Sequence, residues 1–547
     1  MDRLSPLDAS FLHIEDGNPN SQMHIGSVGI FEGPPPDHRA MADMMAGRMH
    51  LVPRYRQVVL TVPGGIGRPV WADDPGFSID YHLRRTAIPA PGDDATLRRL
   101  VERIMSQRLD RTKPLWEIWV VEGLPDDRWA MISKVHHAMV DGVSGAEILA
   151  ILLDLGPEIA TYEGAPYEPA PLPTPVELVA DAMVDLATNS YEQARVAGRA
   201  FRRRAALLDQ GREVLSGFRS LAGVVQPAED WSLVGPISAH RTWTWASSTM
   251  GVVKQIRSEF GGSVNDVVLA AITAGFRDLL LSRGEVVADH VVRTLVPVSV
   301  RTTRGDGAAT SDGVLDNKVS AMFAELPVGL ADPIDRLDAI RTQMGDLKES
   351  KQAVAAEMLT SASGFAPPAL LALGTRVAAR YAGASTNLHT VTTNVPGPQF
   401  PLYSMGTRLL ETMPYVPLSA PLRTGVAIFS YDQKVTFGIT GDKDSTDDID
   451  VLARGIEAGL ADLLERSTPA TAPTATPAAE ASAPVADAAA AAPKKAPAKK
   501  APAKKAPAKK APAAKKAPAN KAPAKKVAAT KKVPAKKVPA AKKASTD

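Results

Sequence analysis

Two adjacent histidines, three spacers and an Asp-Gly pair stand together at His136-His137-Ala138-Met139-Val140-Asp141-Gly142. Core packing does not call for such a combination. Histidine takes and returns a proton near neutral pH because its unperturbed pKa is about 6.5. Asp141 can fix local geometry, and the glycine behind it permits a tight turn or a close backbone approach. For these residue types at these offsets, chance gives on the order of one match per thousand such sequences. Three readings compete. A metal site is poor, since adjacent histidines rarely converge on one ion and no third ligand lies nearby in sequence. As core filler, both rings would carry nitrogens in need of partners. A general base with a supporting acid suits the spacing.

Such a base must be held by regular elements on either side. Met23–Phe31 alternates as a strand, and Ala95–Leu109 carries apolar residues at helical spacing. Trp116–Val121 and Trp129–Val135 read as two strands joined by a turn at Gly123–Asp127, followed by a helix over Ser144–Leu155. The histidine pair therefore falls in a strand-to-helix connection, where a rigid scaffold presents side chains. Pro166–Pro175 is a proline-rich break. From Val176 to about Val225 strand signals nearly vanish, and a basic cluster sits at Phe201–Arg204, a pattern shared by solvated helix faces and anion sites. Beyond it, Asp266–Leu281, Asp335–Lys348 and Ile449–Arg466 read as helices. Val291–Val300 reads as a strand, and Val426–Ile439 as two strands around Tyr431-Asp432-Gln433. The expected class is mixed α/β: one half over 1–165, a helical linker over 166–239, a second half over 240–466, and a tail over 467–547.

Composition narrows the chemistry. A chain of 547 residues exceeds one ordinary domain. It has no cysteine, which excludes disulfides, thiolate catalysis and Cys-ligated metal centres. No basic, then apolar, N-terminal run marks a signal peptide, and no stretch of about 18 uncharged apolar residues marks a membrane span. The net charge of +3 averages two unlike parts. Residues 467–547 hold 19 lysines against three acids, which leaves residues 1–466 at −13. The tail repeats A-P-A-K-K almost without aromatic or branched apolar residues, so it is expected to be disordered. Paired lysines suit polyanions such as nucleic acid or anionic lipid, or serve only as a solubilising tail.

Further segments carry a resemblance. His136-His137-Ala138-Met139-Val140-Asp141-Gly142 matches an HHxxxDG motif in full, and Pro114-Leu115-Trp116-Glu117 a PLW element. Asn265-Asp266 matches an ND element. Pro6–Leu12, Met23–Gly26, Val296–Arg301, Asp316–Ser320 and Thr393–Pro398 are similar in kind. Over about residues 4–466 the chain resembles the bacterial wax ester synthase/acyl-CoA:diacylglycerol acyltransferase family, within the chloramphenicol-acetyltransferase-like CoA-dependent acyltransferases. The lysine tail is the one clear departure.

The resemblance implies two chloramphenicol-acetyltransferase-like halves and transfer of an acyl group from acyl-CoA to a diacylglycerol or a long-chain alcohol. His137 would be the proton acceptor, with His136 supporting the loop and Asp141 pairing with an arginine to shape it. No acyl-enzyme is needed, consistent with the lack of a G-x-S-x-G elbow and of cysteine. Trp116 is a wall or core candidate, and Asn265 and Asp266 cap a helix or position substrate. Thr392, Thr393 and Asn394 are oxyanion-donor candidates. No cofactor or metal is expected, acyl-CoA being a substrate. A cytoplasmic protein meeting membrane or lipid inclusions peripherally follows, with Pro367–Gly383 a candidate apolar contact or an ordinary core helix. Condensation domains share the motif but sit beside carrier domains. An H-x4-D acyltransferase would be expected to carry membrane helices. A polyanion-binding scaffold with an accessory acyltransferase-like body is the reading from another class.

Overall fold

The computed structural model describes residues 1–140, 152–159, 166–202, 231–299, 319–349 and 388–467, with backbone alone at some element ends, including 189–202. Asp141, most of the helix expected over Ser144–Leu155, the side chains of Phe201–Arg204, the segment Pro367–Gly383 and the tail beyond Ser467 lie outside the described residues.

In chain order the strands are β1 (Asp2–Arg3), β2 (His24–Glu32), β3 (Gln57–Leu60), β4 (Val70–Asp73), β5 (Leu83–Ala87), β6 (Trp116–Leu124), β7 (Arg128–His136), β8 (Arg241–Thr249), β9 (Val292–Ser299), β10 (Val319–Leu326), β11 (Thr390–Pro396), β12 (Tyr403–Ser404), β13 (Thr407–Tyr415), β14 (Thr424–Tyr431) and β15 (Lys434–Asp442). The helices are α1 (Pro6–Gly17), α2 (His38–Arg48), α3 (Ile79–His82), α4 (Asp94–Met105), α5 (Pro175–Arg202), α6 (Met250–Phe260), α7 (Val264–Ser282), α8 (Pro333–Glu349) and α9 (Ile449–Ser467).

Local chemistry accounts for the elements around the histidine pair. Ser5 caps α1 by accepting the Asp8 amide, Pro6 fills the first helical position, and Asp8 complements the dipole. The N-terminal stretch, read from sequence only as a signature, is thus a helix. Asp93 caps α4, whose Leu97, Leu100, Val101, Ile104 and Met105 form one buried face. β6 and β7 form a hairpin whose turn residues Asp126 and Asp127 both have positive φ, as a turn matching strand twist requires.

Two six-stranded sheets organise the body. One has the order β12-β13-β2-β7-β6-β5, antiparallel except for β5 beside β6. The other has the order β10-β9-β11-β14-β15-β8, with β11 parallel to both neighbours. The halves are therefore not independent. β13 arises after the second half has begun, yet it pairs with β2, placing Tyr415 opposite Gly26. A boundary at residue 240 divides the chain but not the sheets, and the described residues up to 467 fall within one compact unit, Met1–Ala472. Trp243 of β8 packs among Val28, Ile104, Met413 and Tyr415 and donates its indole N–H to the Pro414 carbonyl. Where β13 meets β15, a Cβ on Gly438 would lie 1.7 Å from the Pro414 oxygen, so only glycine fits.

Candidate active site

The histidine pair sits at the C-terminal end of β7, an interior strand between β2 and β6. His136 is its last residue, set opposite His24 of β2, with its amide donated to the Leu115 carbonyl. The chain then makes a single 3-10 turn, His137–Met139, closed by the Val140 amide on the His137 carbonyl. The His137 amide donates to the Met23 carbonyl at 2.8 Å, which ties the turn to β2. Residues 152–154 fix the chain again beyond the motif. Asp154 exchanges backbone hydrogen bonds with Tyr403, and its carboxylate accepts buried Arg48 at 2.8 and 3.0 Å.

The two rings have different surroundings. His136 is buried; its Nδ1 accepts the Ala138 amide at 3.0 Å and its Nε2 faces Glu15 Oε1 at 3.4 Å. His137 is half-buried and stacks on Phe11 of α1, with ring centroids 4.1 Å apart. Its Nδ1 is enclosed, which leaves Nε2 as the accessible nitrogen. Burial pushes its pKa down to about 4, against a smaller upward pull from its own backbone carbonyl. The ring is neutral at physiological pH, the form that accepts a proton.

Glu15 is the residue that sequence reasoning missed. Burial works to raise its pKa, but the facing His136 ring, Arg111 and the Met23 amide outweigh it and hold the carboxyl well below the usual carboxylate range. Arg111 and Arg108 reach its other oxygen at 2.7 and 3.2 Å. An acid inside an otherwise amphipathic helix was the available signal, and its proximity to the histidines was not.

Behind the pair, side chains of β2, β7 and the segment before β2 cap the C-terminal end of α4. His24 contacts the Met105 carbonyl, Gln22 donates to Ser106, and buried Lys134 donates to Ile104 and Gln107. Burial pushes Lys134 down to about 8. Free carbonyls at a helix C-terminus are thereby satisfied, with Lys134 the one cation among the three side chains and of favourable sign for the dipole.

The remaining candidates divide. Trp116 is fully buried, donates its Nε1 to the Tyr55 carbonyl at 2.8 Å and stacks on His82 at 4.4 Å. Its only side-chain donor is committed, so it is a core residue of β6, beside the strand that ends in His136. Asp266 is the buried arm of a capping box with Ser263 at the start of α7. Asn265 accepts the Asn394 side-chain amide at 3.3 Å, joining α7 to β11. Thr392 is buried and accepts the Thr294 hydroxyl at 2.8 Å. Strand alternation puts Thr393 on the face opposite Thr392 and Asn394. The structure thus brings together His136, His137, Glu15 and Phe11, and separately Asn265 with Asn394. No hydrogen bond or ion pair among the described residues joins the two groups. Nor does any group of three or more His, Asp or Glu fit to hold a metal occur among them.

The paired sheets and the histidine turn define a class before they define a family. Solved structures of similar fold include the wax ester synthase/diacylglycerol acyltransferase from Marinobacter aquaeolei VT8, with a TM-score of 0.60, 24% identity, and coverage of 85% of this chain and 100% of that one. The first condensation domain of the calcium-dependent antibiotic synthetase follows at 0.51 and 15% identity, covering 87% and 97%. Residues 4–268 match the wax ester synthase/diacylglycerol acyltransferase catalytic domain, and 315–464 the C-terminal domain of the same family. A probable diacylglycerol O-acyltransferase of Mycobacterium tuberculosis is 35% identical over 475 residues, 85% of this chain and 96% of the relative. Another putative one from that organism is 31% identical, covering 85% and 92%. The chain belongs to the wax ester synthase/diacylglycerol acyltransferase family and is an acyl-CoA-dependent O-acyltransferase of that type. The matches run through both halves, which leaves the scaffold reading without support.

Proposed function

We propose that the protein makes triacylglycerol by transferring the acyl group of acyl-CoA to diacylglycerol, with His137 as general base, and that long-chain alcohols serve as a second acceptor class. The observation that carries the mechanism is the neutral His137 ring, walled by Phe11 and held at the strand end with one nitrogen accessible. Nε2 takes the proton of the acceptor hydroxyl as its oxygen attacks the thioester carbonyl. The tetrahedral intermediate collapses, the C–S bond breaks, and the imidazolium returns the proton to the CoA thiolate. Direct transfer suits a chain without cysteine. His136 supports the turn. Asp141 shapes the loop beyond it, and Thr393, Asn394 and Asn265 position substrate from the second half. No cofactor takes part.

No helix among the described residues is long and apolar enough to cross a membrane. In this reading the lipid substrates are met peripherally, at a cytoplasmic membrane or lipid-inclusion surface, with the 19 lysines of the tail adding attraction to anionic lipid or other polyanions. The test is CoA release and triacylglycerol formation by His137→Ala. Because positioned proton transfer contributes roughly 10²- to 10⁴-fold, turnover should fall by about that factor in a protein that melts normally. Substantial turnover would remove His137 as the base. An acceptor panel at fixed acyl-CoA ranks diacylglycerol against alcohols.

A further inference from the structure

Helix α1 reaches the histidine pair with two side chains one turn apart. Phe11 lies on the His137 ring, and Glu15 faces the His136 ring. Positions i and i+4 share a helix face, so a single helix reads both histidines. Glu15 holds the turn by two routes. Its Oε1 lies 3.4 Å from His136 Nε2 and accepts the Met23 amide at 2.7 Å, while the Met23 carbonyl accepts the His137 amide at 2.8 Å. On the far side of the His136 ring, Nδ1 accepts the Ala138 amide, so the ring's proton sits on Nε2, the nitrogen that lies 3.4 Å from Glu15 Oε1 without meeting it in a well-aligned hydrogen bond. A proton on Nδ1 would set two donors against each other. Arg111 and Arg108, on the second carboxylate oxygen, orient the acid itself.

We propose that Glu15 is a positioning residue for acyl transfer: through His136 and Met23 it sets the turn that aims His137 Nε2 at the acceptor hydroxyl. This inference rests on His137 being the base. It gives His136 a defined task, as the ring that joins a buried carboxylate to the backbone of the catalytic turn.

The experiment compares Glu15→Gln, His136→Asn and His137→Ala in the full chain, by steady-state kinetics with acyl-CoA and diacylglycerol. His136→Asn keeps an acceptor for the Ala138 amide but withdraws from Glu15. Misplacement of a reacting group by about 1 Å costs on the order of 100-fold, so kcat should fall about that much in both variants. KM for either substrate should stay within about twofold, and the double variant should lose no more than the worse single one. Nitrogen NMR of the wild-type protein should show the His136 proton on Nε2. Unchanged kcat in Glu15→Gln beside a dead His137→Ala overturns the positioning role and leaves the base in place. An active His137→Ala overturns both. If Glu15→Gln does not fold, His136→Asn decides: a fall in kcat at constant KM supports the proposal, and unchanged kcat overturns it.

Discussion

Removing the Phe11 ring should move the pH dependence of the reaction. Burial holds His137 at about 4 instead of 6.5, so the acid limb of kcat/KM in the native enzyme should lie near 4. At pH 5 such a base is about nine-tenths deprotonated, whereas an unperturbed histidine would be about 3% so. Phe11 covers one face of the ring at 4.1 Å, and Phe11→Ala admits water there. Desolvation shifts reach several units for fully enclosed groups, so losing one wall should raise the limb by roughly one unit. The rate at pH 5 would then fall to about half its plateau. Stability moves in the same window. A histidine with a depressed folded pKa is neutral in the fold, while the unfolded chain takes up the proton first. Stability is therefore full above about pH 6.5 and declines as pH falls toward 4, by up to about 3 kcal/mol. Phe11→Ala should shrink that decline. The assay is initial-rate triacylglycerol formation from pH 4 to 8, with a melting curve at each point to separate unfolding from titration. A native limb at 6.5, or a limb unmoved in Phe11→Ala, would refute the claim that burial tunes this base.

Other perturbations test the frame around the site. Trp116→Phe keeps the core filled but abandons the Tyr55 carbonyl, so it should cost about 1–2 kcal/mol in denaturant titration and leave kcat near native. Gly438→Ala forces a Cβ against the Pro414 oxygen at the crossing of β13 and β15 and should destabilise by about 3 kcal/mol or more; a native melting temperature would mean the strands separate there easily. Residues 1–472, the compact unit, should retain turnover on detergent-dispersed acceptor, and loss of activity on truncation would make the tail part of the enzyme.

Much of the site was legible in residue order because its signals are local. The alternation of Met23–Phe31, the paired strands before His136 and the capped start of α7 arise from contacts within a few residues, and each element lies close to its expected span. The histidine motif pointed to a general base, the family resemblance implied acyl transfer from CoA, and the family matches agree. The helical nature of Pro6–Gly17 was harder to see, since its Ser-Pro start is a short signal and its buried face is small.

Tertiary structure decided which groups act together. Glu15 and His136 are far apart in sequence, and nothing in α1 alone shows that its acid faces an imidazole rather than water. The crossing of β13 into the first sheet is likewise invisible to residue order, because strand pairing is set by long-range complementarity and not by local periodicity. Trp116 carried a motif signature, yet burial and one committed hydrogen bond make it core. The histidine pair named the chemistry from sequence. Only tertiary burial, to which the stacked Phe11 ring contributes one wall, lowered the pKa of His137, since desolvation depends on what encloses a group and not on which residue it is.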